Sequence, residues 1–369
     1  MSVKSEIEFS IKILKTTNTE KSIVYSPFSI LNNLAILYAG SDGKTAEQLS
    51  QFLGGGKSND EAIQHYFDLI KYCKTVSGNE SGNFQLSSSN CLFVSDEPML
   101  PNFTAIMDKF DVKFQKLDFK ETKKSAKEIN QFISQNTNEK IENIVAESDI
   151  VKDANLFIVN ALYFFGKWET PFNEISSIFR GQKAKMLQRT VKNEGWNLVE
   201  NEKWQCLGIP FKNQKCWLHI LLPTEGENLS ELIQNFNEDL FKECVFKNNV
   251  SKVEVLIPKF LLESKILLDE VLKKLGVTGI FEFGNVRKIF AEPHSVDKFL
   301  HFTKFEINKF GAEAASASII PVVPVCFESD MHYFFAINPF IYFITLVDDG
   351  SSDVKSILLM GQYWGDKKR

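Results

Sequence analysis

The sequence has few of the residues that build metal centres and disulfide frameworks, and it has none of the common catalytic motifs. Its 369 residues include six cysteines and five histidines. We find no Gly-x-Ser-x-Gly, His-Glu-x-x-His, Gly-x-x-x-x-Gly-Lys or Cys-x-x-Cys pattern. A hydrolase built on Cys326 and a histidine is the strongest enzyme alternative, but the apolar, proline-rich residues around Cys326 could not hold a base in register. The sequence therefore predicts a protein without catalytic residues, cofactor or metal site.

Signals for export and membrane insertion are also missing. Residues 1–6 lack an apolar signal-peptide core, and no apolar run approaches the roughly 20 residues that cross a bilayer. The cysteines show no paired spacing, which is typical of free thiols in a reducing compartment. A net charge of −5 gives no general attraction to nucleic acid or anionic membranes. We expect a cytoplasmic protein, and export without a cleaved signal stays open.

The most informative stretch present is a run of small residues, Gly-Ala-Glu-Ala-Ala-Ser-Ala-Ser, at 311–318. Alanine favours helix, but Gly311 and Pro321 leave too little room for one. At a period of two, the even-numbered residues share one strand face, and each of them is small and uncharged. The only charge, Glu313, lies on the other face. The run could therefore be a loop in one state and a strand inside a sheet in another.

Sequence blocks over nearly the whole chain resemble the serpin family. In the family's order, they are Tyr25–Ile30, Thr45–Leu49, Leu86–Val94, Val159–Trp168, Pro171–Phe172, Leu207–Phe211, Ile220–Pro223, Ile257–Phe260, His301–Asn308, Asn338–Phe340 and Leu359–Gly361. The run of small residues is similar to the hinge that distinguishes inhibitory serpins. The hinge residues so implied are Gly311, Ala312, Glu313, Ala314, Ala315, Ser316, Ala317 and Ser318.

The resemblance implies one α+β domain over residues 1–369, with a large central mixed sheet, two further sheets, eight or nine helices and an exposed reactive loop at about 310–335. No linker, repeat or low-complexity tract divides the chain, which agrees with a single domain. The patterns alone predict a mixed order of elements. They favour helices at 5–16, 28–53 with a break near Gly40, 102–111, 123–142 and near 264–275, and strands at 155–165, 214–222, 251–262, 333–348 and 354–362.

The function that the resemblance implies is suicide inhibition of a protease. The target attacks a bond in the loop and forms an acyl-enzyme, and the freed amino-side segment inserts as a strand into the central sheet. Counting from Gly311, as in inhibitory serpins, puts the reactive bond between Val325 and Cys326. A small β-branched residue after proline suits a shallow apolar pocket, so an elastase-like or chymotrypsin-like serine protease is the expected partner, held in a covalent complex. The expected bait subsites are Val322, Val323, Pro324 and Phe327.

Alternatives stay open at this point. If the cut is shifted, Phe327 would favour a chymotrypsin-like or cathepsin-like target. Glu328 or Asp330 would favour an acid-directed protease. A non-inhibitory serpin, used for binding, storage or as a chaperone, is the alternative function. Residues 55–90 show no basic helix-face cluster, which argues against heparin as a partner. We expect a monomer, with loop–sheet polymers as an open possibility.

The resemblance also carries over supporting positions. Ser26, Ser29, Asn160 and His301 match the polar cluster under the point where the sheet opens, and Trp168 matches a residue near the top of the sheet. Buried polar groups of this kind must be mutually hydrogen-bonded. Two residues depart from the family pattern. Lys309 stands where an acidic residue is usual, and Ala312 where Thr or Ser is usual.

Overall fold

The computed structural model describes most of the chain. The described residues are 3–17, 20–54, 59–77, 84–110, 112–212, 214–226, 228–246, 248–311, 331–348 and 353–365. Hinge residues 312–318, the bait subsites and the reactive bond Val325–Cys326 lie outside these ranges. Their roles therefore stay predictions.

Within the described ranges the chain forms nine α-helices and two short 3₁₀ helices. The α-helices are α1 Lys4–Thr16, α2 Pro27–Ala39, α3 Gly43–Ser50, α4 Asn59–Ser77, α5 Pro101–Lys109, α6 Thr122–Asn136, α7 Leu229–Asn235, α8 Glu238–Val245 and α9 Leu268–Lys274. The 3₁₀ helices are Glu147–Asp149 and Gly279–Phe281. None of the helices in these ranges is long and apolar enough to cross a membrane.

Fifteen described strands form three sheets. They are β1 Ile23–Tyr25, β2 Phe84–Val94, β3 Lys113–Lys116, β4 Leu156–Gly166, β5 Asn173–Phe179, β6 Gln182–Lys192, β7 Asn197–Glu200, β8 Trp204–Pro210, β9 Cys216–Pro223, β10 Lys252–Pro258, β11 Phe260–Leu267, β12 Lys298–Ile307, β13 His332–Phe335, β14 Phe340–Val347 and β15 Val354–Tyr363. One sheet has six strands in the order β1-β15-β14-β9-β8-β7, and another has four in the order β13-β10-β6-β5.

The third sheet is mixed and has the order β11-β12-β4-β2-β3. Its neighbours β4 and β12 run parallel, whereas β4 pairs with β2, and β12 with β11, in antiparallel fashion. Alternate residues of β4 enter two cores. Leu162 and Phe164 pack into the main core, and Ala161 and Tyr163 into a smaller core covered by α6. Burial on both faces explains why residues 156–165 read as a nearly continuous apolar run.

α2 is the helix buried beneath this sheet. The side chain of Ser26 caps its amino terminus by accepting a hydrogen bond from the Ser29 backbone N–H at 3.1 Å, and Pro27 occupies the first turn, where its missing N–H costs nothing. Every residue from Pro27 to Tyr38 is buried. The helix contacts β4 of the five-stranded sheet and β15 of the six-stranded sheet. It therefore joins two of the three sheets into one core.

The helices and strands predicted from patterns are largely confirmed. α1, α2, α3, α5, β4, β9 and β15 fall within a few residues of their expected ranges. The strand expected at 333–348 is two strands, β13 and β14, in different sheets, and the strand expected at 251–262 is likewise divided between β10 and β11. The helix expected at 123–142 ends early, at Asn136. The backbone turns to positive φ at Asn138 and Glu139, a conformation that no α-helix can contain.

The expected helix near 264–275 is wrong in its first third. Phe260–Leu267 form β11, an edge strand of the five-stranded sheet, and the helix begins only at Leu268. Leu262 and Ile266 are buried while Leu261 is 50% exposed. That alternation has a period of two, which favours a strand with one solvated face.

A buried carboxylate, Glu6, joins α1 to β15. It is 4% exposed and accepts hydrogen bonds from the Ser356 hydroxyl at 2.6 Å and from the Ile357 backbone N–H. Both donors are uncharged, and burial raises the pKa of Glu6 from 4.5 to about 7. The folded protein therefore binds this proton more tightly than the unfolded chain does. The stabilisation from Glu6 is full below pH 4.5 and is lost as the pH rises to about 7.

Replacing Glu6 by glutamine should remove this pH dependence. Glutamine keeps an oxygen that can accept both hydrogen bonds but does not ionise. We expect Glu6→Gln to match the wild type near pH 4 and to be more stable by about 3 kcal/mol at pH 8. Thermal unfolding midpoints at the two pH values measure the difference. Glu8→Gln is the matched control, because the Glu8 side chain on the same helix is 46% exposed. Equal pH profiles for the two variants would contradict the assignment.

Candidate functional site

The candidate site is the seam between β4 and β12 in the five-stranded sheet. The two strands pair in parallel from Phe157–Lys298 at the bottom to Phe164–Phe305 at the top. Each strand has an antiparallel partner on its other side, β2 for β4 and β11 for β12. Parallel ladders are slightly less stable per residue than antiparallel ones. The seam therefore joins two antiparallel units through a ladder of lower stability per residue.

Gly311, the first predicted hinge residue, lies at the top of the seam. It forms an antiparallel bridge with Lys167, one residue beyond the end of β4, and its φ is +115°. A Cβ atom on this residue would lie 2.0 Å from the Gly166 carbonyl oxygen. Only glycine fits this conformation and this space. The chain therefore enters the predicted loop from a point seated against β4.

Trp168 holds the residues that precede Gly311. Its indole N–H donates to the Asn308 carbonyl at 3.0 Å, and its backbone N–H donates to the Phe310 carbonyl at 3.2 Å. Its ring stacks on Phe211, with centroids 4.6 Å apart and planes inclined by 6°. Trp168 thus packs in the core and also binds the root of the hinge, which we define as residues 308–311.

The structure brings together the four polar residues predicted under the opening of the sheet. Asn160 Nδ2 donates to Ser29 Oγ at 2.5 Å, and His301 Nε2 accepts from the Ser26 backbone N–H at 2.9 Å. His301 and Asn160 are also hydrogen-bonded to each other across the seam. All four residues are at most 1% exposed. This polar cluster connects the amino terminus of α2 to both strands of the seam.

The partners of His301 fix its ring as a neutral tautomer. Nε2 accepts from Ser26 and lies 2.8 Å from the Thr303 hydroxyl, so the ring proton is on Nδ1, which faces Asn160 Oδ1. Burial lowers the pKa of His301 from 6.5 to about 3. The ring therefore stays neutral around pH 7, and its hydrogen bonds across the seam persist there.

Sequence reasoning missed Asn90 and Asn33, which complete the polar cluster. Asn90 lies opposite Asn160 on β2 and accepts a hydrogen bond from its side-chain amide. Asn33 on α2 donates to Asn90 Oδ1 at 3.2 Å. Asn90, Asn160 and His301 thus occupy one level of three adjacent strands. Only β4 gave a signal, because Asn160 interrupts its apolar run; β2 and β12 each contain several polar residues, so Asn90 does not stand out.

Removing the amide of Asn160 should loosen the seam. Asn160→Ala leaves the Nδ1–H of His301 and the hydroxyl of Ser29 without this partner in a buried site, which costs about 1–3 kcal/mol. We expect a lower thermal unfolding midpoint than in the wild type. Ser88→Ala is the control, because Ser88 lies on β2 but is exposed. An equal loss in both variants would show that the polar cluster has no special role.

Comparisons with known proteins were consistent with this geometry. A sequence model of the family described as Serpin (serine protease inhibitor) matches residues 4–364. The chain is 29% identical to Iripin-1 from Ixodes ricinus over 355 residues, which cover 91% of this chain and 89% of that protein. It is 30% identical to Antichymotrypsin-2 from Bombyx mori over 343 residues, which cover 89% of each.

The fold is also similar to solved structures. The crystal structure of Serpin48 from the insect Tenebrio molitor superimposes with a TM-score of 0.82 over 98% of this chain and 97% of that one, at 24% identity. Together with the sequence matches, this places the chain in the serpin family. The predicted α+β serpin fold is confirmed. Most members of this family are protease inhibitors.

Proposed function

We propose that this protein inhibits proteases as a suicide substrate, by inserting its cleaved reactive segment between β4 and β12. A target protease would attack a bond within residues 325–330 and form an acyl-enzyme, and the freed amino-side segment would become a new strand. The observation that carries the proposal is the parallel seam with Gly311 seated at its top. A strand that descends from Gly311 runs antiparallel to both β4 and β12, so it can hydrogen-bond along both edges.

The Gly311–Lys167 bridge sets the register of such a strand. Because the bridge is antiparallel, each further residue of the segment pairs with the preceding residue of β4. Continued downwards, this register puts Ser318 opposite Asn160 of the polar cluster. Directly opposed residues point to the same face of a sheet. The even-numbered hinge residues would therefore point into the main core, as Phe164 does.

The composition of the hinge suits this register. The core-facing residues would be Ala312, Ala314, Ser316 and Ser318, all of them small and uncharged. In this register the first of them, Ala312, would lie opposite Gly166, where an added Cβ would be 2.5 Å from the Phe211 ring. An aromatic side chain already fills the core at that level. A large or charged residue at the start of the segment would therefore stop insertion.

Insertion would also be strongly favourable in free energy. From Gly311 to Val325 the segment spans roughly 46 Å at the rise of a strand. About a dozen new strand residues, at about 0.5–1.5 kcal/mol per hydrogen bond, give on the order of 10 kcal/mol before side-chain burial. The uncleaved fold is then kinetically trapped, and cleavage releases it.

An arginine at the first core-facing position should convert the inhibitor into a substrate. In Ala312→Arg, burial of the guanidinium opposes insertion, so we expect deacylation to outrun trapping and the covalent complex to be lost. Glu313→Arg is the matched control, since residue 313 would point to the opposite face. Denaturing gels after incubation with protease measure the fraction of complex. Unchanged trapping by Ala312→Arg would contradict the register.

For the target we propose an elastase-like or chymotrypsin-like serine protease, with cleavage between Val325 and Cys326. The small β-branched Val325 suits a shallow apolar pocket. The name of the similar Bombyx mori protein, Antichymotrypsin-2, supports a serine protease as the target. Cathepsin-like cysteine proteases, directed by Phe327, are the alternative target class.

The test is incubation with a panel of elastase-like, chymotrypsin-like, trypsin-like and cathepsin-like proteases. A band at the summed mass on a denaturing gel, with a released peptide that starts at Cys326, is the expected result. The same band with a peptide that starts at another residue would assign the reactive bond to that position instead. Clean cleavage with no complex by any protease would overturn the proposal in favour of a binding or storage role.

We propose that the inhibitor is a cytoplasmic monomer. The five cysteines in the described ranges, Cys73, Cys91, Cys206, Cys216 and Cys244, are free and buried. Burial raises the pKa of the Cys73 and Cys91 thiols, which keeps them unreactive. Free thiols in a fold of this size agree with a reducing compartment.

A further inference from the structure

The bottom of the seam is closed by a side chain as well as by backbone groups. Asp297, the residue just before β12, is hydrogen-bonded to the start of β4. Its carboxylate oxygen Oδ2 accepts from the backbone N–H of Asn155 at 2.7 Å and from that of Leu156 at 3.0 Å. The Asp297 N–H donates in turn to the Leu156 carbonyl at 2.9 Å. One residue therefore holds both backbone groups of Leu156.

Both backbone groups of Leu156 point into the seam, since both bind the residue that leads into β12. At the top, the Trp168 N–H also points into the seam and donates to the Phe310 carbonyl. Because this direction alternates from residue to residue along a strand, the even-numbered residues of β4 offer their backbone groups to the seam. Leu156 is the lowest of them in β4, so it marks the bottom rung.

The two sides of this rung belong to different parts of the fold. The Ser95 N–H donates to the Asn155 carbonyl at 3.0 Å, which ties the start of β4 to the end of β2. On the other side, Lys298 Nζ is 3.4 Å from Asp269 Oδ2, which ties the start of β12 to α9. The hydrogen bonds of Asp297 thus cross the line along which the proposed insertion would part the sheet.

The inserted strand would need the groups that Asp297 holds. The register proposed above, continued to the start of β4, puts Val322 opposite Leu156. Val322 would then exchange both backbone hydrogen bonds with Leu156, as even-numbered pairs do in this register. The bond to be displaced there is stronger than an ordinary ladder bond, because hydrogen bonds to an ionised carboxylate are roughly twice as strong as neutral ones.

We propose that Asp297 is a positioning residue that holds the start of β4 against β12 and must release Leu156 before the last rung of the new ladder can form. This inference rests on the proposed inhibitory function. It adds the group that opposes the final step of insertion, at the end of the seam farthest from Gly311. Asp297 acts through the Leu156 backbone and not on the bond that is cut.

The uncleaved and the inserted protein should depend differently on this carboxylate. Insertion would move β12 away from β4 by the spacing of one strand, about 4.8 Å, so neither hydrogen bond of the carboxylate would survive. Removing the carboxylate should therefore destabilise the uncleaved protein and leave the inserted protein unchanged. A side chain with a purely structural role would stabilise both forms alike.

The experiment compares unfolding midpoints in guanidinium chloride for the uncleaved and the loop-cleaved protein. We expect Asp297→Ala to lower the midpoint of the uncleaved form by about 0.3–0.5 M and to leave that of the cleaved form unchanged. Asp297→Asn keeps an oxygen that can accept both N–H groups, so its loss should be smaller and confined to the uncleaved form. Asp153→Asn is the matched control, because it removes an exposed carboxylate just before β4 and should change neither midpoint.

Two results would overturn the inference. Equal losses in the cleaved and uncleaved forms of Asp297→Ala would assign the carboxylate a purely structural role. Unchanged midpoints in both forms would show that its hydrogen bonds do not restrain the seam. If the alanine variant does not fold, Asp297→Asn is judged by the same two criteria.

The wild type separates this inference from the proposed function. Cleavage of its reactive loop should raise the unfolding midpoint, because the segment inserts. A wild type without that gain overturns the inhibitory mechanism and, with it, the role of Asp297. A wild type with the gain, combined with equal losses in both forms of Asp297→Ala, overturns the role of Asp297 alone.

Discussion

The parallel ladder between β4 and β12 is the interaction on which the rest of the structure depends. It joins two antiparallel units of the five-stranded sheet, and the groups around it restrain its opening. The polar cluster ties both strands to the amino terminus of α2. Trp168 and Gly311 close the top. These contacts are the ones that the proposed insertion would have to break.

The top of the seam also shows how this chain accommodates Lys309, which stands where the family pattern has an acidic residue. The Lys309 carbonyl accepts a hydrogen bond from the Phe172 N–H at 2.8 Å. The Lys309 ammonium lies 4.6 Å from the centre of the Phe310 ring. The residue that departs from the pattern is thus held by a backbone hydrogen bond and a ring contact, neither of which needs an acidic side chain.

Much of the fold could be predicted from the sequence, because the most deeply buried helices and strands show a clear apolar pattern. β4 is buried on both faces and reads as an apolar run. β5, in contrast, has the sequence Asn-Glu-Ile-Ser-Ser-Ile-Phe and is mostly exposed at the edge of its sheet, so it gave no usable signal. α4 was missed as well. Its pattern was present, because the buried residues Ala62, Tyr66, Leu69 and Cys73 recur at helical spacing along it.

The site was only partly predictable, because several of its contacts join residues that are far apart along the chain. The four predicted members of the polar cluster came from the family resemblance and meet as expected. Asn33 and Asn90 are separated by 57 positions, and Leu156 and Asp297 by 141. Pairs of this kind depend on strand register, which a single sequence does not specify. Glu6 lies in a helical pattern and gives no local sign that it is buried against β15.

The bridge between Gly311 and Lys167 has a consequence for the timing of the proposed insertion. A ladder that already holds its first pair has passed its nucleation step, and under the proposed mechanism it would grow from one end only. Residues of the segment would then be added in sequence order. The first few would control whether growth overtakes hydrolysis of the acyl-enzyme, and the last few would control only the stability of the finished ladder. Under that mechanism, changes at the bait end would alter the target without slowing the start of the ladder.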